Sequence, residues 1–185
     1  MKKHYNDIFG YYYTSFEIDK ISELAVGREN ALEIGAFYGK STVAIAMNAK
    51  RVLSIDPFDC HHSEATKEGN LIRRPDKFNN LPIYLENIKG YDNIRYIVGL
   101  SKDIVPTLTE TFDYIYIDGD HSYEGVKLDL ELCWPLLEKG GILVLHDYDP
   151  DNMHGYSLGI KQAFEEKFDS YDGRQDTVIW KVKND

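Results

Sequence analysis

ALEIGAFYGKSTVAIA, residues 31–46, is the stretch on which the reading of this chain turns. Ala31, Leu32 and Ile34 make a short apolar run that carries one acid, Glu33, and stops at Gly35. Gly39 then opens a helical pattern of small residues through Ser41, Thr42, Ala44 and Ala46. A strand that breaks at glycine and resumes as a helix brings free backbone N–H groups and the positive end of a helix dipole to one corner. Glycine lets a ligand lie close against the backbone there. The segment reads as the ligand-binding corner of an α/β domain.

The rest of the chain alternates in the same way. The spacing predicts a helix over 15–26 capped by Ser15, a strand at 31–35, a helix at 40–49 and a strand at 51–56. Residues 57–75 are polar and irregular, and 78–90 reads as a helix. A strand at 94–99, a short helix from 101, a strand at 112–120 and a helix from Tyr123 to the Gly140-Gly141 stop follow. The last elements are a strand at 141–149, a helix at 157–168 and a strand at 177–182. Alternating strands and helices demand a mainly parallel sheet covered on both faces. The final strand has too little chain before it for a crossover helix. It is expected to pair antiparallel at the sheet edge, through a hairpin from about residue 169.

With 185 residues, 43% of them apolar, the expectation is a single domain, residues 1–28 forming an N-terminal arm and helix. The net charge of −10 argues against nucleic acid and anionic membranes as partners. The expected partner is a small-molecule acceptor, with homodimerisation left open. Cys60 and Cys133 fit no zinc-ligand spacing, and Cys133 reads as a small core residue. No secretory leader or membrane-spanning run is visible, so the cytoplasm is the expected compartment. The tyrosines Tyr11, Tyr12 and Tyr13 read as a surface arm or an aromatic lid.

Three ligands compete for the glycine turn. A dinucleotide fold needs GxGxxG, which this turn lacks. A phosphate-binding P-loop needs four residues between its first glycine and Gly-Lys-Ser/Thr. Only three separate Gly35 from Gly39-Lys40-Ser41-Thr42, so an NTPase or kinase is the lesser alternative. The third ligand is S-adenosylmethionine (SAM). It needs an acid at the end of the second strand for the ribose hydroxyls, and Asp56 stands there.

At this point the chain resembles the class I SAM-dependent methyltransferases. The narrower likeness is to their catechol O-methyltransferase-like and macrocin O-methyltransferase-like branches. LEIGAFYGKST is similar to the first motif of that family. VGLSKDIVPTL, 98–108, is similar to the segment beside the adenine, and residues 116–148 to the block joining the fourth and fifth strands. The resemblance implies a Rossmann-like, doubly wound seven-stranded sheet with an antiparallel edge strand. It implies that Glu33, Gly35 and Ser41, with Ala36, Phe37 and Gly39 of the turn, hold the methionine end of SAM. Asp56 would hold the ribose and Ser101 would lie near the adenine. Asp118 and Asp147 match acids that bind Mg²⁺ or another divalent ion in metal-dependent members. His146 beside Asp147 departs from the pattern, and an Asp118, His146, Asp147 set would suit a softer ion.

O-methylation requires donor and acceptor to be aligned and the acceptor proton removed. His121, after the fourth strand, is the expected general base, with Asp118 and Asp120 beside it. The expected activity is O-methylation of a sugar, phenol or natural-product hydroxyl. A protein that binds SAM without catalysis is the remaining alternative. Lys40 reads as a surface residue.

Overall fold

The computed structural model describes residues 2–9, 14–65, 71–151 and 158–184, with backbone alone for 60–65 and 71–78. Helix α1 spans Ser15–Leu24 and leads into strand β1, Ala31–Ile34. Helix α2, Lys40–Ala46, and strand β2, Val52–Asp56, follow. Strands β3, Asp59–Ala65, and β4, Leu71–Asn79, form a separate antiparallel pair. Then come α3, Leu81–Ile88, β5, Ile94–Val98, and α4, Ser101–Ile104. The chain continues with β6, Phe112–Ile117, α5, Tyr123–Cys133, and β7, Leu137–Leu145. It closes with α6, Leu158–Lys167, β8, Gly173–Gln175, and β9, Val178–Val182.

The main sheet has seven strands in the order β5-β2-β1-β6-β7-β9-β8. β5, β2, β1, β6 and β7 run parallel, and β9 pairs antiparallel with both β7 and β8. The doubly wound sheet expected from the alternation is therefore present, and the hairpin near residue 169 is the β8–β9 pair. The order reverses direction at β1, so the cleft beyond the carboxyl ends of β1, β2 and β6 is where such a sheet binds ligands.

Alternate residues of each strand enter opposite layers. Leu32, Ile34, Ile115, Ile117, Leu143 and Leu145 pack under α5 and α6. Ala31, Tyr114, Tyr116, Ile142 and Val144 pack under α1 and α2. Glu33 belongs to the second set by register, which carries its carboxylate under α2.

Several boundaries move. Thr14, not Ser15, caps α1: its hydroxyl accepts from the Glu17 amide at 3.2 Å, and the Glu17 carboxylate accepts from the Thr14 amide at 2.7 Å. The reciprocal pair satisfies two amides that a helix start leaves open. Within the segment read as an irregular loop over 57–75, residues 59–65 and 71–75 belong instead to β3 and β4, and α3 starts only at Leu81. The cue was masked because polar residues fill both strands, and no apolar alternation marks them. The helix expected up to Gly140 ends at Cys133, because Pro135 cannot donate to a continuing ladder. Strand β7 therefore starts at Leu137. The Tyr11–Tyr13 lid lies outside the described residues. No helix among the described residues is long and apolar enough to cross a membrane.

Candidate active site

The turn from Gly35 to Gly39 is held in a shape few residues adopt. Gly35 and Gly39 both have φ of 87°, and Phe37 has φ of 47°. A Cβ on Gly35 would lie 2.1 Å from the backbone oxygen of Asp118, so only glycine fits. The left-handed Phe37 is fixed by its neighbours on both sides. Asp56 Oδ2 accepts from the amides of Ala36 at 2.8 Å and Phe37 at 2.9 Å. Asn80, just before α3, donates to the Phe37 carbonyl at 2.6 Å, and Asn87 of α3 donates to the Tyr38 carbonyl at 2.8 Å. The strain is carried by a network of buried amides rather than by the turn alone.

Two expected cofactor contacts look different once built. Asp56 stands on the cleft wall, but Oδ1 also accepts from Phe58 N at 2.5 Å. Three of a carboxylate's roughly four acceptor directions are thus committed to backbone. Burial raises its pKa against those three bonds. Glu33 is fully buried and does not line the cleft. Its carboxylate accepts from Ser41 at 2.6 Å, Thr42 at 2.5 Å and Ser54 at 2.5 Å, which ties β1, α2 and β2 together. Burial lifts it to about 7, against the pull of the three hydroxyls. Ser41 lines the cleft with its hydroxyl proton directed at Glu33.

Ser101 opens α4 at the other end of the cleft and donates to Asp129 Oδ1 at 2.5 Å. Burial raises Asp129 to about 6, against that bond. Asp129 is absent from the sequence reading. Its signal was present, since it shares the buried face of α5 with Val126, Leu130 and Cys133. An acid on the apolar face of a helix asks for a partner.

The chemistry collects at the ends of β6 and β7. His121 Nε2 lies 3.1 Å from Asp118 Oδ1, and its Nδ1 lies 3.4 Å from Asp147 Oδ2. His121 is half-exposed and Asp118 lines the cleft. Behind them His146 is buried, with Nδ1 3.5 Å from Asp118 and 3.3 Å from Asp147. Its Nε2 lies 3.8 Å from Glu17 of α1. Burial disfavours the charge on Asp118, His121, His146 and Glu17, but their attraction to neighbouring groups outweighs it. Asp118 is held well below the usual carboxylate range by His146 and His121. His146 is pushed well above the usual histidine value by Asp118, Asp147 and Glu17, and His121 is raised by Asp118 and then Asp147. Glu17 is drawn down to about 2, with burial opposed by His146, Thr177 and Thr14.

Among the described residues, Asp118, His121 and Asp147 bring one ligand atom each within 4.8 Å of one another. His146, expected in that set, lies buried behind it, with Nδ1 toward Asp118 and Asp147 and Nε2 toward Glu17. Asp120 lines the cleft and accepts from Ser122 N at 3.0 Å, just ahead of α5. Lys40, read as a surface residue, also lines the cleft. The P-loop alternative fails on geometry: the amides of Ala36 and Phe37, which would cradle a phosphate, face the Asp56 carboxylate.

The resulting cleft has a volume of about 550 Å³. It runs from the glycine turn past Asp56 to Ser101 and Asp129, with Asp118 and Gly119 on its opposite wall.

Comparison with known proteins agrees with this fold. A family model described as a methyltransferase domain matches residues 32–148. An uncharacterized protein of Acanthamoeba polyphaga mimivirus is 34% identical over 119 residues, covering 63% of this chain and 50% of that protein. A protein of Saccharolobus solfataricus, named as a probable cobalt-precorrin-6B C(15)-methyltransferase (decarboxylating), is 31% identical over 130 residues, 68% of this chain and 56% of that protein. The chain spans about half the length of these curated relatives. Among solved structures, the O-methyltransferase of Bacillus cereus in complex with S-adenosylhomocysteine matches with TM-score 0.66 at 19% identity, over 96% of this chain and 86% of that one. The O-methyltransferase TomG of Streptomyces achromogenes, in complex with SAM, matches with TM-score 0.65 at 17% identity, over 97% and 85%. Likeness at these identities is one of fold.

Proposed function

The chain belongs to the methyltransferase-domain family, the class I SAM-dependent methyltransferases, and from that premise we propose that it methylates a hydroxyl oxygen of a small molecule with His121 as general base. The observation that carries this reading is the position of His121. It is half-exposed and held through Nε2 by Asp118, which lines the cofactor cleft, while its Nδ1, 3.4 Å from Asp147 Oδ2, is the nitrogen that takes the proton.

SAM supplies the methyl group as an electrophilic sulfonium, and the cleft fits it in size and sign of charge. The chain's own work is alignment and proton removal. As the acceptor oxygen bonds to the methyl carbon and the carbon–sulfur bond breaks, the hydroxyl proton needs a base within reach. His121, with its basicity raised by two carboxylates, is a stronger base than a free imidazole once deprotonated. His146, buried behind Asp118 and Asp147, holds Asp118 in its ionised form and braces both carboxylates from the side away from His121. Replacing His121 by Ala is expected to lower kcat by about 10² or more while S-adenosylhomocysteine still binds. Undiminished turnover would remove His121 from the reaction.

A second reading rests on the compact Asp118, His121, Asp147 set. These residues would hold a divalent cation, which would polarise the acceptor oxygen as a Lewis acid. The two roles of His121 exclude each other, since a ligating nitrogen takes no proton. Methyl transfer that survives exhaustive dialysis against EDTA supports the base; loss restored by one added metal supports the ligand.

A further inference from the structure

The cofactor cleft is walled by acids. Among its described lining residues stand five carboxylates, Asp56, Asp59, Asp118, Asp120 and Asp129, and one cationic side chain, Lys40. SAM carries a sulfonium, an ammonium and a carboxylate. Its two cations meet acids wherever they lie. Its carboxylate faces like charge throughout and needs a specific donor.

The obvious donors are already committed. The Ser41 hydroxyl donates to Glu33 at 2.6 Å, and the amides of Ala36 and Phe37 donate to Asp56. Lys40, the first residue of α2, differs from them. It is half-buried, and its ammonium donates to the carbonyl of Ile8 at 3.2 Å. An ammonium has three donors, so this bond leaves two. Ile8 is itself buried at 2% exposure, and the segment before it is tied down by Lys3, whose ammonium donates to Asn87 at 2.6 Å. The Ile8 carbonyl is therefore a fixed post that keeps the long Lys40 side chain beside the turn.

We propose that Lys40 is a cofactor-binding residue: it receives the amino-acid carboxylate of SAM, and its bond to Ile8 pre-positions it. This rests on the SAM reading of the cleft. The competing role is a purely structural tether between α2 and the N-terminal segment.

Two thioether nucleosides separate these roles. S-Adenosylhomocysteine carries the carboxylate; 5′-methylthioadenosine shares the nucleoside and lacks the amino-acid end. Calorimetry on the wild type and on Lys40→Met is expected to show S-adenosylhomocysteine weakened about ten- to a hundredfold, the range of a charge-assisted hydrogen bond. Methylthioadenosine should bind both proteins alike, and Lys40→Arg should recover most of the lost affinity. Equal weakening of the two nucleosides would make Lys40 a tether, and unchanged S-adenosylhomocysteine binding would also overturn the assignment. If the wild type binds neither nucleoside, the cofactor reading itself falls and takes this role with it.

Discussion

Glu33 is the residue at which sequence and structure part most clearly. The motif places an acid at the end of the first strand, and an acid in a cofactor motif suggests a ligand contact. The register of β1 turns it away from the cleft, under α2, where three hydroxyls receive it. With its pKa raised from 4.5 to about 7, the folded protein keeps a proton that the unfolded chain has released. The stability this contributes is complete below about pH 4.5 and is lost as pH rises through 7, on the order of 3 kcal/mol at most. Asp129, raised to about 6, adds a contribution of the same sign. Denaturant titrations between pH 5 and 8 should therefore show falling stability, with a shallower fall in Glu33→Gln. An unchanged slope would mean that the carboxylate is ionised throughout. Gly35 makes a sharper prediction. Its missing Cβ would overlap the Asp118 oxygen, so Gly35→Ala should lose about 3 kcal/mol or more, or fail to fold, while Gly140→Ala, with open space around it, loses far less. Paired thermal melts of the two variants decide it.

Helix α1 does more than cover the sheet. Glu17 closes its capping box, accepts from Thr177 at the β8–β9 turn, and faces His146 behind the candidate site. One side chain thus links the first helix, the last hairpin and the acid–imidazole cluster. Glu17→Ala would leave the buried His146 cation short of a counter-charge. A loss of about 3–5 kcal/mol is expected, the range for breaking a buried pair from one side. Thr177→Val should lose about 1 kcal/mol, because only the hydrogen bond goes. Similar values for both variants would place the energy in the hydroxyl contact instead of the charge. Helix α3 and the residue before it have a parallel function: Asn80 and Asn87 hold two carbonyls of the turn, those of Phe37 and Tyr38. Neither asparagine is marked as a site residue by any spacing in the sequence, because their targets lie more than 40 positions away.

At the scale of the whole molecule, the cleft lies on the switch point of the sheet, between β1, β2 and β6, and draws its walls from both halves of the chain. A ligand there ties those halves together. S-Adenosylhomocysteine at a hundred times its Kd should stabilise the fold by about 2.7 kcal/mol. For a domain of this size that raises the melting temperature by roughly 5–10 °C. ATP or NAD at equal concentration should produce no such shift; a shift with ATP alone would restore the P-loop reading. The alternation of strands and helices, the buried apolar runs and the glycine turn were enough to specify this architecture, because each is a local pattern with a fixed period or a fixed backbone requirement. The motif order also marked Asp56, Ser101, Asp118, His121 and Asp147, all of which stand at the cleft or the cluster beside it. What the sequence could not decide was direction and partnership. Glu33 faces the helix layer, Ser41 donates to it, His146 turns back toward Glu17, and Lys40 turns inward to the cleft. Those choices depend on strand register and on contacts between residues far apart in the chain, so only the packed tertiary structure settles them.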